Sequence, residues 1–399
     1  MLGGIEGGLP RSFYVVSVAA FLFQLTNYVI QPIFTLYILD LGASMLQVGL
    51  ILSIQSILAI ASKVPLALVA EKIGEGRMLG ITFIVQATAP ILYFLAPSPA
   101  WLYLIPLYQI VATGSFNQLA MSMVSNMAPT TGQGEALGRY MTFFSMGMFI
   151  GPIITSALIA QISYRQLFLV AAIFPVIGGG VFIRHATDMG NRSPAPDPGR
   201  QPRSSTSGSL KAVLRERNVV ILSVIRTAYS MSNTIFNALF AVYAVERLGL
   251  SPSLVALLFS VLGLANALIK LPAGRISDRV GTKPLLLVTF GMIIVDYVAI
   301  AYARSVLLLA ISLVVFGVCW GTRAVTEWSF LASTVSPETK TLAISYLSIF
   351  WGIGSTVGGM IAGVSAGVLP FSEIFLIAAL INVPAIPAIC AMREIKRAR

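Results

Sequence analysis

A pattern of polar and aromatic residues occurs twice in this chain, and each copy lies inside a long apolar stretch. The two copies are Asn27, Gln31, Phe34, Tyr37 and Asp40, and then Asn233, Asn237, Phe240, Tyr243 and Glu246. Their offset is 206 residues, and one extra residue, Arg247, makes it 207 afterwards. The same offset of 207 relates Gly147 and Gly151 to Gly354 and Gly358. The chain is therefore two copies of one unit.

The copies are too apolar for a water-soluble protein. Hydrophobic residues make up 57% of the chain, charged residues 10%, and the mean hydropathy is +0.87. A soluble domain carries about 25% charged residues. The alternative, an apolar soluble bundle, would have to bury every face of nearly every helix. We therefore expect a membrane protein in contact with the lipid bilayer.

The apolar stretches predict twelve membrane-spanning helices, since they are far longer than the ~10-residue strands of a membrane barrel. The fold class is thus an all-α membrane protein with two pseudo-symmetric halves of six helices each. The spans are predicted at 12–38, 46–70, 78–96, 101–127, 137–162, 165–183, 218–245, 253–274, 284–303, 305–332, 341–368 and 371–392.

The polar segment 185–215 is rich in Pro, Ser, Gly and Arg. Such a composition cannot bury enough apolar surface to fold by itself. We expect residues 1–184 to form the first half, 185–215 a flexible cytoplasmic linker, and 216–399 the second half.

The positive charges fix the orientation of the spans. Of the 26 Lys and Arg residues, this topology places three outside, four within spans and the rest in cytoplasmic loops. This asymmetry follows the positive-inside rule and predicts that both termini lie in the cytoplasm. The expected location is the plasma membrane. The net charge of +11 is then a signal of topology and not of nucleic-acid binding.

Nothing in the sequence points to catalysis. The two cysteines, Cys319 and Cys390, and the single histidine, His185, form no metal-ligand spacing. No nucleophile–base spacing or phosphate-binding loop occurs. We expect no enzyme activity, no cofactor and no metal site.

A run of charged residues after span eight identifies a family. The sequence from Gly274 to Lys283 has the pattern glycine-x-x-x-aspartate-arginine-x-glycine-x-lysine and resembles the signature loop of the major facilitator superfamily. Its first-half counterpart, from Ala67 to Gly74, is degenerate. The span count, the central loop and the repeat also agree, so the resemblance covers the whole chain.

The resemblance implies that these two loops form a cytoplasmic gate. Glu71 would face the start of span eleven at residues 337–341, and Asp278 the start of span five at residues 134–137. A carboxylate at such a place accepts hydrogen bonds from the free N–H groups of a helix N-terminus. The alternative is that they are ordinary loop charges. The predicted gate residues are Glu71, Lys72, Gly74, Gly274, Asp278, Arg279, Gly281 and Lys283.

Span five carries Gly147, Gly151 and Pro152, which resemble a glycine-rich motif of drug–proton antiporters in this family. Thr155 and Ser156 replace its terminal glycine pair. Physically, small residues four apart allow close helix packing, and the proline kinks the helix. Gly354 and Gly358 are expected to act alike in the second half. The alternative to an export motif is close packing of spans five and eight.

The family resemblance also implies that spans one, four, seven and ten line a central cavity. Unpaired amides are expensive in hydrocarbon, so they should face a cavity or another polar group. Hydrogen bonds between spans are the open alternative for each amide. The predicted substrate-binding residues are Asn27, Gln31, Gln109, Thr113, Asn117, Asn233, Asn237, Trp320 and Arg323.

Charged residues within the spans suggest a role in proton coupling. Arg323 and Glu327 lie one turn apart on span ten, and Arg226 on span seven lies at a similar depth. We expect a cluster in which Glu327 exchanges a proton, because a buried carboxylate that loses its cationic neighbours holds its charge less readily. A permanent ion pair is the alternative. Asp296 on span nine is a further candidate, with a structural hydrogen bond as its alternative.

The predicted function is secondary active transport of a small organic solute by alternating access between the halves. Span five favours proton-coupled efflux of drug-like or metabolite substrates. Span four lacks the arginine that proton-coupled exporters of the family carry, since Tyr108, Gln109 and Ile110 precede Gly114. The alternatives are an uptake symporter for a sugar, organic acid or other nutrient, and a non-transporting sensor. The predicted partners are the solute and protons, and we expect a monomer.

Overall fold

The computed structural model describes residues 9–127, 133–190, 216–335 and 337–393. Throughout these ranges the regular structure is helical, and they contain no strand. The prediction of an all-α membrane protein is thereby confirmed.

The first half contains six spans, of which two are broken. Span one comprises Arg11–Ile30, a 3-10 turn at Gln31–Ile33 that contains Pro32, and Phe34–Asp40. Span two comprises Met45–Ala61 and Lys63–Ile73, which are bent by 47°. Spans three to six are Glu75–Leu95, Trp101–Met127, Gln133–Leu158 and Tyr164–Gly190.

The second half also contains six spans. Spans seven to eleven are Arg217–Leu248, Pro252–Val280, Thr282–Ala301, Val306–Thr334 and Pro337–Ser365. Span twelve comprises Phe371–Asn382 and Ala385–Cys390.

Among the described residues, eleven spans are long and apolar enough to cross a membrane, when the two bent helices of span two are counted as one span. Span four is the twelfth. Its 27 residues reach about 40 Å, enough to cross the apolar core, at 1.5 Å per residue. Its lower hydropathy comes from the polar residues that were predicted to face a cavity.

Helices extend further than the apolar runs predicted. Span eight continues to Val280, so most of the motif from Gly274 to Lys283 forms the last two turns of a helix and not a loop. Polar residues continue a helix readily once it leaves the hydrocarbon, which a hydropathy limit cannot detect. The backbone φ is +91° at Gly74 and +95° at Gly281. This conformation favours glycine and explains why both copies of the motif end on it.

The repeated glycines make equivalent contacts in the two halves. Cβ atoms built on Gly147 and Gly151 of span five would meet the backbone of span one. Cβ atoms built on Gly354 and Gly358 of span eleven would meet the backbone of span seven. These glycines therefore pack span five against span one, and not against span eight as the alternative in the sequence had it.

The repeated tyrosines are also equivalent. Tyr37 at the end of span one donates a hydrogen bond to the carbonyl of Tyr93, at the end of span three. Tyr243 at the end of span seven donates to the carbonyls of Ile300 and Ala303, both at 3.0 Å, at the end of span nine. The pattern that defined the repeat thus includes structural anchors.

Contacts between residues divide the chain into two compact units. Of the described residues, the first comprises 9–42, 58–127, 133–190 and 251–260, and the second comprises 43–57, 216–250, 261–335 and 337–393. The first unit has an aromatic core in which the rings of Phe23 and Phe116 stack with centroids 3.6 Å apart. In the second unit, Ser53 donates a hydrogen bond of 2.8 Å to the carbonyl of Thr356.

Candidate substrate and proton site

Three charged side chains meet inside the second unit. The distance from Arg323 Nη1 to Glu327 Oε2 is 2.5 Å, along one turn of span ten. The distance from Arg226 Nη1 on span seven to the same oxygen is 3.8 Å. The side chains of Arg323 and Glu327 are 4% and 3% exposed, and that of Arg226 is 11% exposed. The structure thus brings together the three residues that the sequence placed in one cluster.

Aromatic rings surround the two guanidinium groups. The Arg323 guanidinium carbon lies 3.9 Å from the ring centroid of Tyr229 and 5.4 Å from that of Trp351. The Arg226 guanidinium carbon lies 4.6 Å from the centroid of Trp328 and 5.5 Å from that of Trp351. Such cation–π contacts stabilise a desolvated cation, each by about 1–2 kcal/mol.

The hydrogen bonding of the cluster is incomplete. Among the described residues, Nε of Arg226, Nε of Arg323 and Oε1 of Glu327 have no hydrogen-bond partner. Two positive charges and one negative charge leave a formal excess of one positive charge. Since buried charges normally have hydrogen-bonded partners, the cluster is able to bind a further anion at the arginines or a proton at the carboxylate.

The amides of spans one and seven bond mainly to other protein groups. Asn27 donates to Gln24 Oε1 at 2.8 Å and accepts from Nε2 of Gln86 on span three, also at 2.8 Å. Asn237 donates to the side chain of Asn233 at 3.0 Å and to its backbone carbonyl at 2.8 Å. These contacts favour the alternative of polar helix packing for Asn27, while Gln31 is partly exposed.

Span four presents the more accessible polar face. Thr113 and Asn117 are exposed, and Gln109 accepts a 3.1 Å hydrogen bond from the Tyr93 hydroxyl. On span ten, Trp320 is partly buried and packs edge-on against Phe316, with centroids 6.5 Å apart. The role of these residues in substrate binding stays a prediction.

Asp296 is on span nine and faces span ten. Its carboxylate is 4% exposed and accepts a hydrogen bond from Ser312. Both residues line an otherwise apolar groove of about 480 Å³. The bond to span ten agrees with the structural alternative for this acid.

The predicted gate residues lie at the ends of spans two and eight. Glu71, Lys72, Asp278 and Arg279 are exposed, and Gly274 is partly buried. Lys283 donates hydrogen bonds to the carbonyls of Cys390, at 2.7 Å, and of Met392, at 3.4 Å. The segments expected to face Glu71 and Asp278 include side chains outside the described part of the structure, so the gate stays a prediction.

Sequence reasoning missed the aromatic residues around the cluster. Tyr229 lies three residues after Arg226, and Trp328 directly follows Glu327. Their closeness in sequence to Arg226 and Glu327 was a signal that could have identified them. The sequence gives no such signal for Trp351, because this residue belongs to span eleven and reaches the cluster only through helix packing.

Twelve spans in two repeated halves, with charges buried inside the spans, define a polytopic membrane protein with a polar site among its helices. The profile of the Major Facilitator Superfamily matches residues 16–326 and residues 222–398. The chain belongs to the Major Facilitator Superfamily. It is therefore a secondary transporter of small organic solutes and not an enzyme, as predicted.

Relatives agree with this assignment, and solved structures have the same fold. An uncharacterized MFS-type transporter of Methanocaldococcus jannaschii is 20% identical over 380 residues, which covers 94% of this chain and 97% of that protein. A homolog of the multi-drug resistance efflux pump PmrA from Lactococcus lactis is 28% identical over 40% of each chain. The crystal structure of a mutant nucleoside transporter NupG superposes with a TM-score of 0.80 at 15% identity, covering 96% of this chain and 99% of that one.

Proposed function

We propose that this transporter couples solute movement to protons and that Glu327 binds the coupling proton. The observation that carries the proposal is the placement of one buried carboxylate between two arginines on different spans. A proton on Glu327 removes the charge that both arginines pair with.

Protonation of Glu327 acts on the contact between spans seven and ten. Two unit charges 4 Å apart attract by about 4 kcal/mol at an effective dielectric constant of 20. The 3.8 Å contact from Arg226 to Glu327 joins these spans, so its loss shifts the balance between conformations. Arg323 stays beside Glu327, since both are on one helix. The cavity residues on spans one, four, seven and ten bind the solute in this proposal.

Export of drug-like or metabolite solutes in exchange for protons is the first candidate direction. The similarity to a multi-drug efflux pump and the motif at Gly147, Gly151 and Pro152 support it. In this candidate the protein lies in the cell membrane, with both termini in the cytoplasm and a gate at the signature motifs.

Uptake of an organic acid or other nutrient together with protons is the second candidate. The excess positive charge of the cluster supports it, because an anionic solute and a proton can occupy such a site together. The two candidates differ in the sign of the coupling, which is measurable.

The proton site is tested by flux in proteoliposomes with and without an imposed pH gradient. The Glu327→Gln protein should lose gradient-driven accumulation and keep downhill exchange of the solute. Glu373→Gln, an exposed acid at the start of span twelve, is the matched control and should behave as the wild type. Gradient-driven accumulation by Glu327→Gln at the wild-type rate would remove Glu327 from the mechanism.

A further inference from the structure

We propose that the transported solute is an organic monoanion, that its anionic group binds Arg226, and that it binds cooperatively with the proton on Glu327. This inference rests on the proposed proton site and names the substrate class and the sign of the coupling.

Arg226 is the more loosely paired of the two arginines. Its Nη1 lies 3.8 Å from the Glu327 carboxylate, against 2.5 Å for Arg323. Its side chain is also the most exposed of the three, at 11%. Its Nε is buried and has no hydrogen-bond partner among the described residues, so a solute reaches this atom only when the packing around Arg226 opens. A guanidinium with spare, oriented N–H groups is the preferred protein ligand of a carboxylate, which it binds through two parallel hydrogen bonds.

The charge of the cluster sets the charge of the solute. Arg226, Arg323 and Glu327 together carry a formal charge of +1, so a solute with one negative charge neutralises the unprotonated site. A solute of this charge that binds together with a proton on Glu327 leaves the formal charge at +1, as in the empty site. A cationic solute would increase the excess positive charge of a desolvated site, which is strongly unfavourable. A neutral solute would leave the excess charge as it is.

The same charges fix the sign of the coupling. A proton on Glu327 raises the charge of the cluster from +1 to +2, so an anion binds more tightly to the protonated site. Binding linkage is reciprocal, so the bound anion also makes Glu327 bind its proton more tightly. The two ligands therefore travel in the same direction. This sign favours uptake by cotransport over export by exchange, which requires that proton and solute exclude each other.

The test measures binding, which needs no transport. The purified protein is titrated with benzoate, indole-3-acetate and pyruvate, each paired with its own neutral amide, and thermal stability and Kd are recorded. We expect at least one carboxylate to bind and its amide to bind far more weakly. Its affinity should increase as the pH is lowered, by about 5- to 150-fold once Glu327 is protonated, which is the usual range of such coupling.

Three variants separate the causes. Arg226→Gln should abolish binding of the carboxylate, whereas Arg217→Gln, which removes an exposed charge from the same helix, should not. Glu327→Gln resembles the protonated site, so it should bind the carboxylate tightly at every pH. This gain of affinity is not expected from a variant that has merely lost structure.

Some results would overturn the inference. They are a failure of all three carboxylates to bind, equal binding of amides and carboxylates, or an affinity that falls as the pH is lowered. Failure of the proposed proton site looks different. In that case the carboxylate binds through Arg226 but its affinity does not depend on pH, and Glu327→Gln keeps gradient-driven flux.

Discussion

Replacing Gly151 by alanine tests whether the repeated glycines set the distance between two spans. A Cβ atom on Gly151 would lie 2.7 Å from the carbonyl carbon of Tyr28 and 2.9 Å from the nitrogen of Val29. Ordinary van der Waals contacts begin at 3.4 Å, and both neighbours belong to the backbone of span one. Because a backbone cannot rotate away as a side chain can, the two spans must separate.

The expected loss of stability follows from two opposed effects. Overpacking of a close contact costs about 1–3 kcal/mol. Alanine in place of glycine in a helix interior returns up to about 1 kcal/mol. With the full offset subtracted, the net destabilisation is up to about 2 kcal/mol, which is a factor of up to about 30 in the folded-to-unfolded ratio.

The measurement is the thermal unfolding of purified variants in one detergent. Gly138→Ala is the matched control on the same span, since no heavy atom lies within 4 Å of its built Cβ. We expect Gly138→Ala to be as stable as the wild type or slightly more stable, and Gly151→Ala to be less stable. Gly358→Ala should repeat the loss in the second half, where the built Cβ lies 2.9 Å from Cα of Met231. If Gly151→Ala unfolds at or above the temperature of Gly138→Ala, the close-packing argument is wrong.

Two further outcomes are expected. Tyr243→Phe removes a hydroxyl that donates to two carbonyls, so it should lower the free energy of unfolding by about 1 kcal/mol, measured by thermal unfolding. Tyr37→Phe should have the same effect in the first half. A loss of stability in only one of the two variants would contradict the equivalence of the tyrosines. Asp296→Asn keeps the shape of the side chain beside Ser312, so gradient-driven flux should persist, whereas its loss would assign Asp296 to proton coupling.

Much of the fold could be predicted from the sequence because hydropathy and the repeat act over long segments. Twelve apolar stretches fixed the number of spans, and the offset of 207 residues identified equivalent glycines in both halves. The limits of the helices were harder to predict, as span eight shows. Its residues from Arg275 to Val280, three of which are charged, continue the helix beyond the apolar stretch.

The candidate site was only partly predictable. Charges in apolar spans are rare and easy to recognise, so Arg226, Arg323 and Glu327 stood out. Aromatic residues are frequent in spans and carry no such signal. The contacts of Trp328 and Trp351 with Arg226 depend on how spans seven, ten and eleven pack, which periodicity alone does not specify.

The repeat shows which residues of the first half occupy the positions equivalent to the charge cluster. Subtracting the offsets places Ala20, Phe23, Phe116 and Ala120 where the second half has Arg226, Tyr229, Arg323 and Glu327. All four first-half residues are 2% exposed or less and belong to one apolar core. Phe23 stacks on Phe116 at 3.6 Å, and at the equivalent place the Arg323 guanidinium lies 3.9 Å from the ring of Tyr229. One packing arrangement thus serves as an apolar core in one half and as a charged site in the other.

This equivalence predicts the behaviour of a transplanted core. A variant with Arg226→Ala, Tyr229→Phe, Arg323→Phe and Glu327→Ala should fold with a stability equal to or above that of the wild type. Replacing a buried ion pair by packed apolar residues is often neutral or stabilising by about 1–4 kcal/mol.

Glu327→Ala alone should be destabilised by about 3–5 kcal/mol, because it leaves two buried arginines without their carboxylate. Thermal unfolding and gradient-driven flux of both variants check the argument. The transplanted core should be stable and inactive in coupled transport, since it keeps the packing and loses every charge. If it is less stable than Glu327→Ala, the two halves do not share this packing, and the charges of the second half contribute to the fold itself and not only to transport.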